Sequence, residues 1–126
     1  MNIPKNLKYT RSHEWVRVEG EVAVVGITDH AQHEMTDVVY VEPPTVDSRV
    51  EGGQECAVVE SVKAANDIYA PVSGDVIAVN EELGSAPELL NDDPYGKGWI
   101  FKVKMTDPGE LNELLSPDDY AHHIGA

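Results

Sequence analysis

The 126-residue chain has little basic charge, a single cysteine and no long hydrophobic run, and each shortage excludes a class of protein. Lysine and arginine together number 9, against 23 aspartate and glutamate residues, which gives a formal net charge of −14. A surface of this sign repels nucleic-acid phosphates and anionic lipid, and it attracts partners with basic surfaces. We therefore expect the chain to bind neither nucleic acid nor a membrane.

Cys56 is the only cysteine, so no disulfide forms within the chain, which suits a reducing compartment. It lies in the apolar run ECAVVES, which favours a buried small side chain over a nucleophile. The N-terminal residues contain no apolar signal core, and no segment approaches membrane-spanning length. We expect a soluble cytoplasmic protein, or one of the mitochondrial matrix if a transit peptide precedes this sequence.

Most of the chain has the residue pattern of β-strands. The stretch EWVRVEGEVAVVGI predicts two strands joined by a tight turn at Gly20, where glycine permits a positive φ. Further apolar runs, DVVYVEPP, ECAVVES, NDIYAPV, DVIAVN and GWIFKVKM, predict more strands. Hydrophobic residues make up 41% of the chain, enough for one core. The sequence therefore predicts a mainly β fold in a single domain, residues 1–126.

Short helices are predicted where capping residues precede weakly apolar segments. Thr28 begins one such segment, and Ser85 with Glu88 forms a capping-box pattern ahead of another. Near the C-terminus, Asp107 and Ser116 each precede a proline, a pattern typical of helix starts. We expect a helical appendage at about residues 107–123.

Lys63 stands out because it lies between two apolar runs in a chain that has few basic residues. If the runs on either side pair as an antiparallel hairpin, at about residues 55–72, Lys63 lies at its exposed tip beside small residues. Two interpretations follow: an ordinary solvated turn residue, or an accessible amine that carries an attached group. The residues alone do not decide between them.

The stretch VVESVKAANDIYAPVSG resembles the lipoyl-attachment segment of the H protein of the glycine cleavage system. The segments KYTRSHEWVRVEG, VGITDHAQ and PELLNDDPYGKGWIFKVK resemble other parts of that family, in the same order along nearly the whole chain. Biotin carriers typically place methionine on both sides of the modified lysine, where this chain has Val62 and Ala64.

This resemblance implies a barrel-sandwich hybrid, lipoyl/biotinyl-carrier-like, with short peripheral and C-terminal helices and lipoate bound covalently to Lys63. It implies a carrier and not an enzyme. In the family, a pyridoxal-phosphate-dependent glycine decarboxylase (P protein) loads the aminomethyl group of glycine onto the lipoyl arm. A tetrahydrofolate-dependent aminomethyltransferase (T protein) unloads the arm, and dihydrolipoamide dehydrogenase (L protein) reoxidises it. A lipoate-attaching enzyme is a further implied partner.

The resemblance also implies roles for four acidic or hydroxyl residues. Ser12, Glu14 and Asp67 match the positions that hold the cationic end of the loaded arm in a partly dry cleft. Glu60, three residues before Lys63, matches a position read by the lipoate-attaching enzyme. Plain surface acidity is the alternative for Glu14 and Asp67, because the whole chain is acidic, and an ordinary solvated strand residue is the alternative for Glu60.

Three other functions remain open from the sequence. One is an H-like lipoyl carrier that relays lipoyl groups to other proteins, and another is a binding domain whose lysine is never acylated. The third is a metal enzyme using His30 and His33 with Asp29 and Glu34, for which a polar helix surface is the simpler interpretation. We expect no metal site and no catalytic residue.

Four residues, at three places in the chain, depart from the usual family pattern. Met35-Thr36 replaces a leucine-glycine pair after the first helix, Pro43 replaces a leucine, and Asp47 replaces a turn glycine. Threonine tolerates a positive φ poorly, whereas aspartate tolerates it better. The backbone after the first helix is therefore where we expect a local difference.

Overall fold

The computed structural model describes residues 1–125, which form nine strands, three α-helices and two 3₁₀ helices. The strands are β1 (Lys8–Tyr9), β2 (Glu14–Glu19), β3 (Val22–Ile27), β4 (Val38–Glu42), β5 (Arg49–Val50), β6 (Glu55–Ser61), β7 (Ala65–Tyr69), β8 (Gly74–Val79) and β9 (Phe101–Met105). The α-helices are α1 (Asp29–Met35), α2 (Leu89–Asp92) and α3 (Pro117–Ile124), and the 3₁₀ helices are Glu81–Gly84 and Pro108–Glu113.

All strand pairs are antiparallel and lie in two sheets. The larger sheet has the order β1-β2-β3-β9-β8-β5, and the smaller has the order β4-β6-β7. Alternating valines and isoleucines bury one side of these strands, so side chains such as Val25, Val59, Ile68 and Val103 form the main core. The predicted mainly β class is confirmed, and within residues 1–125 no helix is long and apolar enough to cross a membrane.

A second apolar cluster fixes α3 against the outer side of the larger sheet. Tyr9, Trp15, Val24 and Tyr120 are buried there, and the rings of Tyr9 and Tyr120 stack with centroids 4.6 Å apart. Helix α3 begins as predicted, with the Ser116 hydroxyl accepting a hydrogen bond from the Asp119 amide. The C-terminal helix is thereby brought beside the loop that precedes β2.

Two of the predicted helix starts differ from the structure. Ser85 does not cap α2: its hydroxyl donates instead to the carbonyl of Glu82, at the end of the preceding 3₁₀ helix. Asp107 does cap a helix, but that helix is 3₁₀ and not α. Its first-turn acid, Glu110, accepts hydrogen bonds from the amide and hydroxyl of Ser73, so a contact distant in the sequence organises this segment.

Candidate functional site

Lys63 lies at the tip of the hairpin formed by β6 and β7. The last paired residues are Glu60 and Ala65, and the Ser61 amide then donates to the carbonyl of Ala64 at 2.8 Å. The Ser61 hydroxyl accepts from the amides of Lys63 and Ala64, both at 3.3 Å, as serine commonly does in tight turns. The connection is therefore short and locally hydrogen-bonded, and it leaves Lys63 exposed.

The side chain of Lys63 reaches across to helix α1. Its Nζ donates a 3.0 Å hydrogen bond to the carbonyl oxygen of Glu34, in the last turn of that helix. The carboxyl end of a helix carries partial negative charge, which favours an N–H donor there. The amine is thus directed along the molecular surface, over the space between the hairpin and α1.

A cavity of about 230 Å³ occupies that space, and we call it the Lys63 cavity. Its apolar lining includes Ile27 from β3, Ala31 from α1 and Ile68 from β7. Its polar lining includes Ser12 and Asp67. An apolar pocket with a few polar groups on its wall suits a ligand that has a hydrocarbon body and a polar end.

Ser12 belongs to a tight turn that leads into β2. The Thr10 hydroxyl accepts from the Glu14 amide at 3.0 Å, and the His13 amide donates to the Thr10 carbonyl at 3.2 Å. His13 adopts φ +75°, in the left-handed region, which reverses the chain direction over a few residues. This turn places Ser12 at the cavity and Glu14 inside the protein.

Glu14 has no exposed surface, yet every oxygen of its carboxylate is hydrogen-bonded. Oε1 accepts from the hydroxyls of Thr10 and Ser12, the latter at 2.6 Å, and Oε2 accepts from the amide of Tyr69 at 3.3 Å. Burial raises the pKa of Glu14 above its ordinary value, and these hydrogen bonds oppose the rise. Glu14 does not line the Lys63 cavity, but Ser12 connects it to the cavity wall.

A model of the glycine cleavage H-protein family matches residues 7–125. The chain belongs to this family. It is 59% identical over 125 residues to the glycine cleavage system H protein of Aeromonas hydrophila, with 98% of this chain and 96% of that protein covered. It is 54% identical over 118 residues to the H protein of Carboxydothermus hydrogenoformans, with 94% and 91% covered.

A crystal structure of a glycine cleavage system H protein from Mycobacterium marinum has the same architecture. The TM-score is 0.91 at 37% sequence identity, and the match covers 98% of this chain and all of that one. The predicted family and the predicted barrel-sandwich hybrid fold are therefore both confirmed.

The predicted site residues occupy different positions around the cavity. Lys63, Ser12 and Asp67 line it directly, and Glu14 lies one hydrogen bond from it. Glu60 does not line it, and its side chain is exposed on β6. In the strand register, Glu60 lies opposite Ala65 of β7 and Tyr40 of β4. Their roles toward a ligand stay predictions.

His13 also lines the Lys63 cavity and was not among the residues predicted from the sequence. Its position between Ser12 and Glu14, in the stretch SHEW, is a signal that the sequence contains. The signal was weak, because only the folded chain brings His13 next to α1 and α3. Its ring centroid lies 4.7 Å from that of His30 and 5.7 Å from that of His123.

The two histidines considered for a metal site, His30 and His33, have different surroundings. His30 Nε2 lies 3.7 Å from a Glu34 carboxylate oxygen, and its ring packs against His13, whereas His33 is exposed. In the part of the chain that the structure describes, no group of three or more histidine, cysteine, aspartate or glutamate residues is arranged to hold a metal ion. Cys56 is partly buried, and burial with the charge of Glu14 raises the pKa of its thiol to about 12.

Proposed function

We propose that Lys63 carries lipoate through an amide bond and that the chain is the lipoyl-bearing carrier of a glycine cleavage system. Membership of the H-protein family supports a lipoyl carrier in glycine cleavage, a carrier component and not an enzyme. The observation that carries the assignment to Lys63 is its exposed amine at a hairpin tip, beside a cavity lined by Ser12 and Asp67.

The surroundings of Lys63 fit this group. The neighbours Ala64 and Ala65 are small, so an acylating enzyme meets little obstruction at the amine. An amide nitrogen keeps one N–H, so acylated Nζ retains a donor for the hydrogen bond to the Glu34 carbonyl. The apolar lining from Ile27 and Ile68 suits a hydrocarbon chain. When bound, lipoate supplies a disulfide that accepts the aminomethyl group.

The chain's own residues hold the cationic end of the loaded arm. An aminomethyl group carries a protonated amine, and hydrogen bonds between such a cation and carboxylates are stronger than neutral ones. Asp67 offers a carboxylate on the cavity wall, and Ser12 offers a hydroxyl that is joined to the buried carboxylate of Glu14. The partly closed cavity also limits the access of water to the labile group.

The partners are the other components of the glycine cleavage system. In this proposal the P protein loads the aminomethyl group, the T protein removes it to tetrahydrofolate, and the L protein reoxidises the arm. The net charge of −14 favours partners with basic surfaces and makes these encounters dependent on salt. Residues 1–126 act as one lipoyl-carrier domain, and Glu60 is read by the lipoate-attaching enzyme.

The experiment co-expresses the chain with a lipoate-attaching enzyme and measures the intact mass, followed by peptide mapping of residues 56–79. We expect one lipoyl adduct on Lys63, none in Lys63→Arg, and an unchanged adduct in Lys97→Arg, since Lys97 is an exposed lysine away from the cavity. Reconstitution with P, T and L proteins then follows glycine-dependent NADH formation.

Two outcomes would contradict the proposal in different ways. A lipoylated chain that supports no glycine decarboxylation would favour a carrier that relays lipoyl groups elsewhere. An unmodified Lys63, in the presence of active attaching enzyme and lipoate, would favour a binding domain without an arm.

A further inference from the structure

His13 joins three parts of the fold at the edge of the Lys63 cavity. It is half-buried in the turn before β2, and it lines the cavity. Helix α1 packs His30 against it, and helix α3 contributes His123 and Tyr120. This imidazole has no role in the proposed function, although His13 lies between Ser12 and Glu14, which do.

A chain of hydrogen bonds holds the ring. Its Nδ1 lies 2.9 Å from the hydroxyl of Tyr120, which in turn lies 2.7 Å from Oγ1 of Thr28, the buried N-cap of α1. When the imidazole is neutral with its hydrogen on Nε2, Nδ1 accepts from Tyr120 and Tyr120 accepts from Thr28. Protonation at Nδ1 reverses the donor and acceptor in each of these hydrogen bonds, because Nδ1 then becomes a donor.

The titratable groups around His13 come from every element packed on it. Helix α1 presents His30 and Glu34, and helix α3 presents His123 beside Tyr120. Lys63 and Asp67 line the same cavity, and the buried Glu14 is the next residue in the chain.

Most of these surroundings disfavour a positive charge on the ring. Burial lowers the pKa of His13, the neighbouring His30 and His123 lower it further, and Glu34 partly opposes them. Burial also raises the pKa of Tyr120 to about 12, so its hydroxyl stays protonated as a hydrogen-bond partner. The imidazole of His13 is therefore uncharged near neutral pH and adds no positive charge to the cavity wall.

We propose that His13 is a positioning residue whose neutral imidazole lets the Lys63 cavity retain the cationic end of a loaded arm, and that protonation of this ring expels it. The inference rests on the proposed function. The physical reason is repulsion: an imidazolium on the wall of this small cavity opposes a second cation in the same cavity.

Thermodynamic linkage gives the first test, which does not use turnover. The titration of each histidine ring is followed by NMR in two forms of the wild-type chain, one with an oxidised lipoyl arm and one loaded from glycine by P protein. If a cation in the cavity disfavours protonated His13, loading weakens proton binding to His13 by the same factor that protonation weakens retention. We expect about a tenfold change, seen as a fall of about one pH unit in the His13 midpoint, and no change at exposed His33. An unchanged His13 midpoint overturns the inference.

The second test follows retention directly. Hydrolysis of the loaded aminomethyl thioether consumes one water, releases formaldehyde and ammonia, and leaves the free thiol, so formaldehyde release reports loss of protection. We expect wild-type release to accelerate as pH falls through the His13 midpoint. His13→Asn should remove this acceleration, because asparagine tolerates the φ of +75° and never carries the charge.

The matched control is His33→Asn on the same helix as His30, and its release profile should equal that of the wild type. A wild-type pH profile in a folded His13→Asn variant overturns the inference, and the NMR test on the unmodified sequence remains decisive if that variant does not fold. Intact mass is measured first. An arm that is absent or cannot be loaded overturns the proposed function together with this inference. A loaded arm with an unresponsive His13 overturns this inference alone.

Discussion

The hydroxyl of Ser12, on the wall of the Lys63 cavity, donates a 2.6 Å hydrogen bond to a carboxylate oxygen of Glu14, which has no exposed surface. A buried acid is thereby connected to the wall of the Lys63 cavity, which it does not itself line. Such a carboxylate is costly to bury unless hydrogen bonds satisfy it, and the hydroxyls of Thr10 and Ser12 and the amide of Tyr69 do so here.

Glu14→Gln should change how stability depends on pH. Burial raises the pKa of Glu14, so the folded chain binds this proton more tightly than the unfolded chain does. The wild type is favoured relative to Glu14→Gln below the ordinary glutamate pKa, and that advantage is lost as pH rises through the raised value. Urea unfolding across this range measures the difference. Exposed Glu21→Gln is the control, and a constant difference for Glu14→Gln would contradict the argument.

Asp67→Asn should weaken retention of the aminomethyl cation, because the variant removes a carboxylate from the cavity wall. Asp67 is exposed, so we expect a modest effect, about three- to tenfold faster formaldehyde release, that shrinks at high salt. Asp75→Asn removes a charge that is also exposed, on β8 and not on the cavity, and should leave release unchanged. Equal effects of the two variants would show that Asp67 acts only through net charge.

Glu60→Gln should slow attachment of lipoate to Lys63. Glu60 is exposed, lies three residues before Lys63 and does not line the cavity, so an attaching enzyme has access to it. We expect kcat/KM for lipoylation to fall about fivefold, as the loss of a complementary charge at an interface commonly produces. Glu55→Gln, at the other end of β6, is the matched control. Identical lipoylation rates for the two variants would show that the attaching enzyme does not recognise Glu60.

Thr36→Gly should stabilise the fold. Thr36 ends α1 with φ 62° and ψ −141°, a conformation that a β-branched residue adopts only under strain. Relief of that strain should exceed the added entropy of glycine in the unfolded chain, for a net gain of about 1 kcal/mol in the free energy of unfolding. Thr36→Ala keeps the strain and should show no comparable gain. A destabilised Thr36→Gly would mean that the Thr36 side chain contributes more than its backbone costs.

Gly74→Ala should destabilise the larger sheet. A Cβ at Gly74 would lie 2.1 Å from the carbonyl oxygen of Lys104 on the neighbouring strand β9, so the strands would have to separate. We expect a loss of about 3 kcal/mol in the free energy of unfolding. Gly84→Ala, where a Cβ meets no atom within 4 Å, should change it by less than about 0.5 kcal/mol. Similar effects of the two variants would contradict this account of Gly74.

Several features were predictable because they depend on neighbours in the sequence. Period-two alternation located the hairpin of β2 and β3 and its turn at Gly20, which has φ 65°. Capping chemistry located the start of α1 at Thr28, whose hydroxyl accepts from the Ala31 amide. Asp47 has φ 72°, a conformation that aspartate was expected to tolerate, whereas Thr36 has φ 62° although threonine tolerates it poorly.

Other features were missed because they depend on contacts distant in the sequence. Glu110 is the first-turn acid of the 3₁₀ helix Pro108–Glu113, but its carboxylate also accepts hydrogen bonds from Ser73, 37 residues away, which no local pattern predicts. Glu88 matched a capping box, but the serine of that pattern closes the preceding 3₁₀ helix.

The sequence by itself determined the family, the antiparallel strands and the position of Lys63 at a hairpin tip, because motifs, periodicity and turn residues act over short distances along the chain. Only the tertiary structure decided that Ser12, His13 and Asp67 share one cavity with Lys63 and that Glu14 is buried behind it. The physical reason is that burial and proximity follow from how the sheets and α1 and α3 pack together. The pKa values of Glu14 and His13 follow from that packing, and no local pattern of residues encodes it.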